Sequence, residues 1–353
     1  MITIIGGGPA GCYTGYLLAK EGHKVEIYEE HSEIGSPVKC AGIVTEDINN
    51  ILKLDKSLIK NIITKIKVIS SEHSLEINSK EIILDRQKFD KYLANLATDA
   101  GCKIHLNSRY LNKEKIKVNN KIITVKPEIL IGADGPLSRV AKSHDMLNNR
   151  RFFTGIQIKA EFKHVPDEYQ VHINDLDGFS WIVPESENIA RIGLMTQKTD
   201  SKEQFNTFLK KLKIKKVLEN NTGLIPIYDP KLEIQKNNVY LIGDSATQVK
   251  ATTGGGIIPS LKAAHLLTKA ISKDLNYGSS CYKEIGKQLK LHLLMRNILN
   301  KFKEKEYNDL LKMLDKQSIK KLFKNISRER PSMLIPKLML RQPKLLKYFK
   351  CLL

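Results

Sequence analysis

The chain has 353 residues, 41% hydrophobic and 27% charged, which is the composition of a folded protein with room for two or three domains. Lys and Arg outnumber Asp and Glu by 58 to 38, a formal net charge of +20, so the surface favours anionic partners. No run approaches the ~18 apolar residues of a membrane span, and five cysteines without a Cys-x-x-Cys pair speak against a disulfide scaffold or a zinc ribbon and for a reducing, cytoplasmic compartment.

In chain order, Ile2-Thr3-Ile4-Ile5 reads as a core strand rather than a leader peptide. Pro9 and Ala10 open a helix carrying Tyr13, Tyr16, Leu17 and Leu18 that ends near Gly22, and residues 24–28 form the next strand. Residues 62–84 hold short alternating runs expected to be antiparallel strands. Residues 89–100 have helical spacing, and residues 128–131 are a buried strand running into Gly132-Ala133-Asp134-Gly135. From 151 to 195 the pattern becomes alternating strands without helices, broken at Asn174-Asp175 and Asp177-Gly178. A helix is expected over 203–212, a core strand over 239–242, a Gly-rich loop and helix over 254–271, and helices from about residue 278 onward.

The fold class expected is α/β: a Rossmann-like dinucleotide-binding domain built from residues 1–61, 83–150 and 225–289. An inserted antiparallel β-rich substrate domain takes 62–82 and 151–224, and a helical C-terminal region takes 290–353.

Gly6-Gly7-Gly8-Pro9-Ala10-Gly11 fits G-x-G-x-x-G between a strand and a helix. Gly6 makes the tight turn, Gly8 admits a pyrophosphate, and Gly11 lets helix and strand pack, while the helix N-terminus receives the anion. Glu29, 18 residues after Gly11, is placed to bind a ribose 2′-hydroxyl. Glu30 is the neighbouring alternative, but the alternation Val25, Ile27, Glu29 favours Glu29. The ligand is then an adenine dinucleotide without a 2′-phosphate. Asp134-Gly135 ends one strand and Gly243-Asp244 another, and Gly254-Gly255-Gly256 precedes Ile257 at a helix start. An acid at a strand end suits a ribityl hydroxyl, and amides at a helix start suit a flavin pyrimidine. These corners favour FAD over NAD.

With those residues stated, the sequence resembles flavoproteins of the p-hydroxybenzoate-hydroxylase fold group, and within it the geranylgeranyl reductase family, over nearly the whole chain. The resemblance is carried by Glu29-Glu30-His31, Ile34-Gly35-Ser36-Pro37-Val38-Lys39-Cys40-Ala41-Gly42, Asp85-Arg86-Gln87-Lys88-Phe89-Asp90, Gly243-Asp244-Ser245-Ala246 and Thr253-Gly254-Gly255-Gly256-Ile257. Phe179-Ser180-Trp181-Ile182-Val183-Pro184 resembles the family's aromatic-x-Trp-x-Phe-Pro cavity motif, with Val183 in place of the second aromatic and Phe179 where Tyr is common.

The resemblance implies reduction of carbon–carbon double bonds in a polyprenyl lipid by reduced FAD, as in membrane ether-lipid or isoprenoid biosynthesis. It implies Phe179, Trp181 and Pro184 at the substrate, Cys40, Ala41 and Gly42 beside the flavin with Cys40 a catalytic candidate, and Arg86 on the dinucleotide. Gln248 and Lys250 are read as lining the cavity or meeting a lipid phosphate. With one dinucleotide motif, electrons come from transiently docked NAD(P)H or from a ferredoxin. The alternative activity on the same fold is aromatic-ring monooxygenation.

Residues 320–353 hold ten Lys/Arg against one acid, Glu329, a net +9. Within them Leu345, Leu346, Phe349, Leu352 and Leu353 share one helical side and Lys344, Lys347 and Lys350 the other, which suits peripheral contact with an anionic membrane face or a terminal helix packed on its own domain. No nucleic-acid partner is expected, because the tail lacks interleaved aromatics apart from Tyr348 and Phe349. The nine histidines show no metal spacing, so no metal is expected.

Overall fold

The computed structural model describes residues 1–173 and 177–349. The turn expected at Asn174-Asp175, and Lys350, Cys351, Leu352 and Leu353 of the expected amphipathic tail, lie outside the described residues.

Two sheets organise the molecule. The first has six strands in the order Gln235–Lys236, Val239–Leu241, Ile129–Gly132, Ile2–Ile5, Val25–Tyr28 and Lys103–His105. All neighbours are parallel except at the Gln235–Lys236 edge. Ile2, Thr3, Ile4 and Ile5 are all buried, with no alternation, because both faces of this sheet are covered. Helices Pro9–Lys20, Arg86–Asp99 and Ile257–Ser272 cover one face, with Tyr13, Leu18, Phe89, Leu93, Leu261 and Leu267 in the shared core. Asp85 caps the second helix by accepting from the Lys88 amide at 3.2 Å, so it begins three residues before the expected start.

The other face is covered by strands Ser108–Asn112, Lys115–Val118 and Lys121–Thr124, a three-stranded sheet that the sequence does not announce. Its last strand is fully exposed and its middle one buries only Ile116, so the period-2 signal is too thin to read.

The second sheet has eight strands in the order Ile214–Pro226, Phe152–Phe162, Ile189–Thr196, Phe179–Pro184, Glu168–His172, Ile59–Ile69, Ser74–Leu84 and Ile43–Thr45. It is antiparallel except where Glu168–His172 runs parallel to Ile59–Ile69. Helix Ser201–Lys210 packs on its outer face, where Phe205 meets Ile158, Ile182, Ile192 and Leu194. The inner face looks toward the dinucleotide half.

The C-terminal helices Lys287–Leu299, Glu304–Leu314, Gln317–Asn325 and Pro331–Arg341 close the molecule behind the loop between Gly243 and Ile257. Arg296 donates to the carbonyls of Ala251 and Thr252, each at 3.0 Å, and its guanidinium lies over the Phe153 ring. Lys250 is ion-paired with Glu329, both almost fully buried, and Arg328 pairs with Glu81 at 2.7 Å. These contacts correct the reading of Lys250 as cavity-lining, while Gln248 lines a different cleft, among Tyr228, Gln235 and Cys281. Lys250 is turned away onto Glu329. Gln248 accepts from the Gly243 amide at 2.8 Å and donates to Tyr277 Oη at 3.1 Å, so both residues hold the loop from behind.

The described part of the tail is also corrected. Leu345 is buried with Ile298, Phe302 and Tyr307, and the Tyr348 ring packs tilted against Phe302 with centroids 4.5 Å apart, while Leu346 faces out. Leu345 and Leu346 therefore do not share one face, because residues 343–345 form a tight turn rather than the first turn of a regular α-helix.

Removing one partner of a buried ion pair leaves the other charge uncompensated. Glu329→Gln is expected to cost about 3–5 kcal/mol in urea unfolding, and an unchanged midpoint would show that the pair does not fasten the loop.

Candidate active site

The first corner lies where the chain leaves the central strand Ile2–Ile5. Gly6 has φ 105°, and a Cβ there would collide with the Ala133 carbonyl of the neighbouring strand end. Gly8 is the N-cap of helix Pro9–Lys20, has no side-chain cap, and faces open space within 4 Å. The amides of Ala10 and Gly11 thus open the helix without internal partners. Because Ile129–Gly132 and Val25–Tyr28 flank Ile2–Ile5 on opposite sides, this corner is the topological switch point of the sheet, where ligands of open α/β folds bind.

Glu29 ends the next strand, buried against the turn. Its Oε2 accepts from the Gly7 amide at 2.6 Å, and its Oε1 meets the His31 amide at 2.9 Å and His31 Nδ1 at 2.5 Å. Glu30 points the other way and meets Arg109 Nε at 3.5 Å in an exposed pair, so the structure does not bring Glu30 to the glycine turn.

Asp134 is already engaged within its own turn. Its Oδ1 accepts from Ser138 Oγ at 2.6 Å, and its Oδ2 from the amides of Arg139 and Val140 at 2.7 and 3.1 Å. Both oxygens serve the N-terminus of the short helix Arg139–Ser143, so Asp134 braces the Gly135 turn.

Asp244 differs. No side-chain donor is drawn onto it from its own turn, and its Oδ1 lies 3.2 Å from where a Cβ on Gly256 would stand, so acid and triple glycine face one another. Burial pushes its carboxyl up to about 6, against the opposing pull of Arg86 and Arg150. Gly256 is the N-cap of helix Ile257–Ser272 and carries no side-chain cap either. Gly254, at φ 67°, packs on Met195 Sδ, which a Cβ would approach to 3.1 Å.

The Cys40-Ala41-Gly42 turn completes the ring. The Gly42 amide donates to Cys40 Sγ at 3.3 Å, and a Cβ on Gly42 would meet the Leu84 carbonyl and Arg86 Cγ. Arg86 forms a two-pronged pair with Asp90 at 2.9 and 2.8 Å. Burial pulls the Arg86 guanidinium down, but Asp90 and the adjoining Cys40 more than offset it, so the charge is held. Ala41 packs into the cluster of Ile63, Ile83, Tyr169 and Val183 that also receives Trp181.

The opposite wall is the inner face of the eight-stranded sheet. Its register aligns Gly223, Gly155, Met195 and Phe179 in one row and Asn221, Gln157, Gly193 and Trp181 in the next. The Trp181 ring occupies the space that a side chain on Gly193 would need, and it leans on Phe179 at 5.7 Å. Gly193, Gly155, Gly223, Met195 and Gln157 were not singled out from the sequence; glycines inside three neighbouring strands were the available signal. Pro184 is a further correction. It pairs with Ala190, which belongs to the outer-face cluster, so alternation turns it away from Trp181.

A cleft of about 490 Å³ opens beside the Cys40 turn and the far end of this sheet face, lined among others by Pro37, Val38, Cys40, Arg86 and Arg191. The glycine corners fit FAD: two uncapped helix N-termini, a buried carboxylate at the first glycine turn, a second carboxylate facing the triple glycine, and an apolar sheet face packed against Gly254.

Residues 4–46 match the NAD(P)-binding Rossmann-like domain family, and residues 188–335 the lycopene cyclase protein family. The chain is 29% identical to an uncharacterized protein of Methanocaldococcus jannaschii, over 90% of this chain and 89% of that one. It is 24% identical to the digeranylgeranylglycerophospholipid reductase of Methanothrix thermoacetophila, over 91% and 93%. Among solved structures, a geranylgeranyl bacteriochlorophyll reductase-like protein from Thermoplasma acidophilum superposes with a TM-score of 0.87 at 23% identity, covering 100% of this chain and 98% of that one. A flavin-dependent halogenase superposes at 0.72 with 17% identity, over 98% and 78%.

An acid with a raised folded pKa binds more protons folded than unfolded between the two values. Its contribution to stability therefore falls as pH rises from 3.8 to about 6 and stays low above. In the cofactor-free protein Asp244→Asn is expected to flatten this slope and to be at least as stable at pH 7, while FAD affinity drops about tenfold, the value of one good hydrogen bond. Thermal melts from pH 4 to 7 with parallel slopes for both proteins would refute the assignment. In sequence the chain is similar to digeranylgeranylglycerophospholipid reductases over most of its length, and it shares the fold of FAD-dependent enzymes.

Proposed function

We propose that this protein is an FAD-dependent reductase of carbon–carbon double bonds in geranylgeranyl lipid chains. The observation that carries the reading is the meeting of the Asp244 and Gly254 corner with the sheet face of Met195, Phe179 and Trp181. A dinucleotide site opens there directly onto an apolar wall.

Bound FAD, once reduced, supplies the hydride. The chain's residues do the rest. The amides at Ala10 and Gly11 and the carboxylate of Glu29 hold the pyrophosphate and ribose, and Asp244 the ribityl chain. The start of helix Ile257–Ser272 favours negative charge on the flavin ring. Phe153, Phe179, Trp181, Met195 and Leu293 keep water from an unpolarised alkene and align it. Cys40 Sγ, opening on the cleft beside Arg86, carries the proton that the second alkene carbon requires.

Electrons enter from NAD(P)H or a ferredoxin, since the sequence holds one dinucleotide turn. Attachment to an anionic membrane surface is supported by helix Pro331–Arg341, which leaves Met333 and Leu340 exposed among Arg330, Lys337 and Arg341. No helix among the described residues is long and apolar enough to cross a membrane. Aromatic-ring oxygenation has less support, because the oxygenase and halogenase neighbours resemble this chain in fold alone, at 13–17% identity.

The test is anaerobic reduction of the flavin-loaded protein, addition of a geranylgeranylated lipid, and mass spectrometry for gains in steps of two hydrogens. No gain with any geranylgeranylated lipid refutes the reading, and NADPH-coupled oxygen uptake replaces it with the oxygenase. Cys40→Ser is expected to retain flavin and lose roughly 10²-fold in turnover, the scale of a lost general acid. Unchanged turnover would reduce Cys40 to a lining residue.

A further inference from the structure

Two residues beyond the Trp181 row, the same sheet face changes character. The next register row carries Glu219, Lys159 and Arg191. Glu185, just past the strand end, and Lys60 join them. Arg191 Nε meets Glu185 Oε1 at 2.5 Å and its Nη2 meets Glu219 Oε2 at 3.6 Å. Lys159 bridges Glu219 at 3.2 Å and Glu185 at 3.7 Å, and Lys60 lies 3.4 Å from Glu185.

Three cations thus face two carboxylates, leaving one positive charge unbalanced. Arg191 is 3% exposed, and its Nη1 is buried with no partner. A guanidinium taken out of water with an idle N–H is costly unless something completes it. The cluster lines the 490 Å³ cleft that Cys40 and Arg86 also line.

We propose that this cluster is an anion site that takes the phosphate head of the lipid substrate. The proposal rests on the reading of the cleft as a lipid site and deepens it. A phosphodiester carries one negative charge, which neutralises the cluster, and guanidinium is matched to phosphate oxygens. The site also fixes the direction of binding. The head lies at Arg191 and Lys159, and the prenyl chain runs along the sheet past Trp181 to Met195. Four residues of strand, about 13 Å, separate Arg191 from Met195.

The experiment is calorimetric titration of the flavin-loaded protein with four probes: inorganic phosphate, glycerol phosphate, a geranylgeranylated phospholipid, and the same lipid with its phosphate removed. Binding at least tenfold tighter for the phospholipid than for its dephosphorylated form is expected. The double variant Lys60→Gln/Lys159→Gln should erase that preference. These side chains are 26% and 21% exposed, so the variant avoids the buried Glu185–Arg191 pair, and retained flavin absorbance checks its fold. Lys202→Gln, exposed on the outer-face helix, should keep the preference.

Equal affinity for the two lipids in the unaltered protein overturns the proposal. So does inorganic phosphate binding as tightly as glycerol phosphate without lipid preference, which would mark a free-phosphate site. A preference that survives the double variant overturns it as well. Binding is read without turnover, so phosphate-dependent lipid binding with no mass gain would sink the reductase reading and sustain this site. Mass gain without the preference would do the reverse.

Discussion

The loop from Gly243 to Gly256 is squeezed between two halves of the molecule, and the active cleft depends on that squeeze. Gly243 lies against Ala10 of the first helix, close enough that a Cβ would come within 2.9 Å of the alanine's, and Gly254 lies against Met195 of the larger sheet. One loop therefore sets the distance between the dinucleotide corner and the apolar wall. At each pinch the glycine lets the loop backbone rest directly on a side chain, the Ala10 methyl at Gly243 and the Met195 thioether at Gly254, so a substituent at either position would force the two halves apart or displace that neighbour.

A loop under such close packing needs to be held from behind. Arg296 and the Lys250–Glu329 pair supply this from the C-terminal helices, and Gln248 ties the loop to Tyr277. These polar groups lie inside the molecule at a cost in desolvation, which their mutual pairing offsets. Their position accounts for the length of the C-terminal region: the helices contact the back of the loop rather than forming a separate appendage.

The sheet face opposite the loop is graded. Glycines and thioether and aromatic side chains lie nearest the loop, and the charged row lies farther along the same strands. A polyprenyl chain with a charged end has the same gradient, and under the proposed function matching it would align an unpolarised double bond without any group to grip it directly. The basic composition that makes the whole chain cationic also leaves this partly buried cluster with a single excess positive charge.

Much of the arrangement was legible in the residues. Gly6 to Gly11 after an apolar run, Glu29 on the strand alternation and Gly243-Asp244 before a triple glycine all follow from local rules, because turns, caps and strand ends are chosen by the few residues that form them. Local rules do not say where a side chain's partner comes from. Asp134 looks like Asp244 in the sequence, yet one is held by its own helix cap and the other faces the triple glycine. Lys250 finds its acid 79 residues away, and Pro184 falls on the outer face through the pairing register. The sequence by itself determined most of the elements, the glycine corners and the class of ligand they suit, but not the thinly patterned three-stranded sheet of residues 108–124. The folded structure decided which polar groups remain free to act, because freedom is what is left after local caps and contacts from distant residues have claimed the rest.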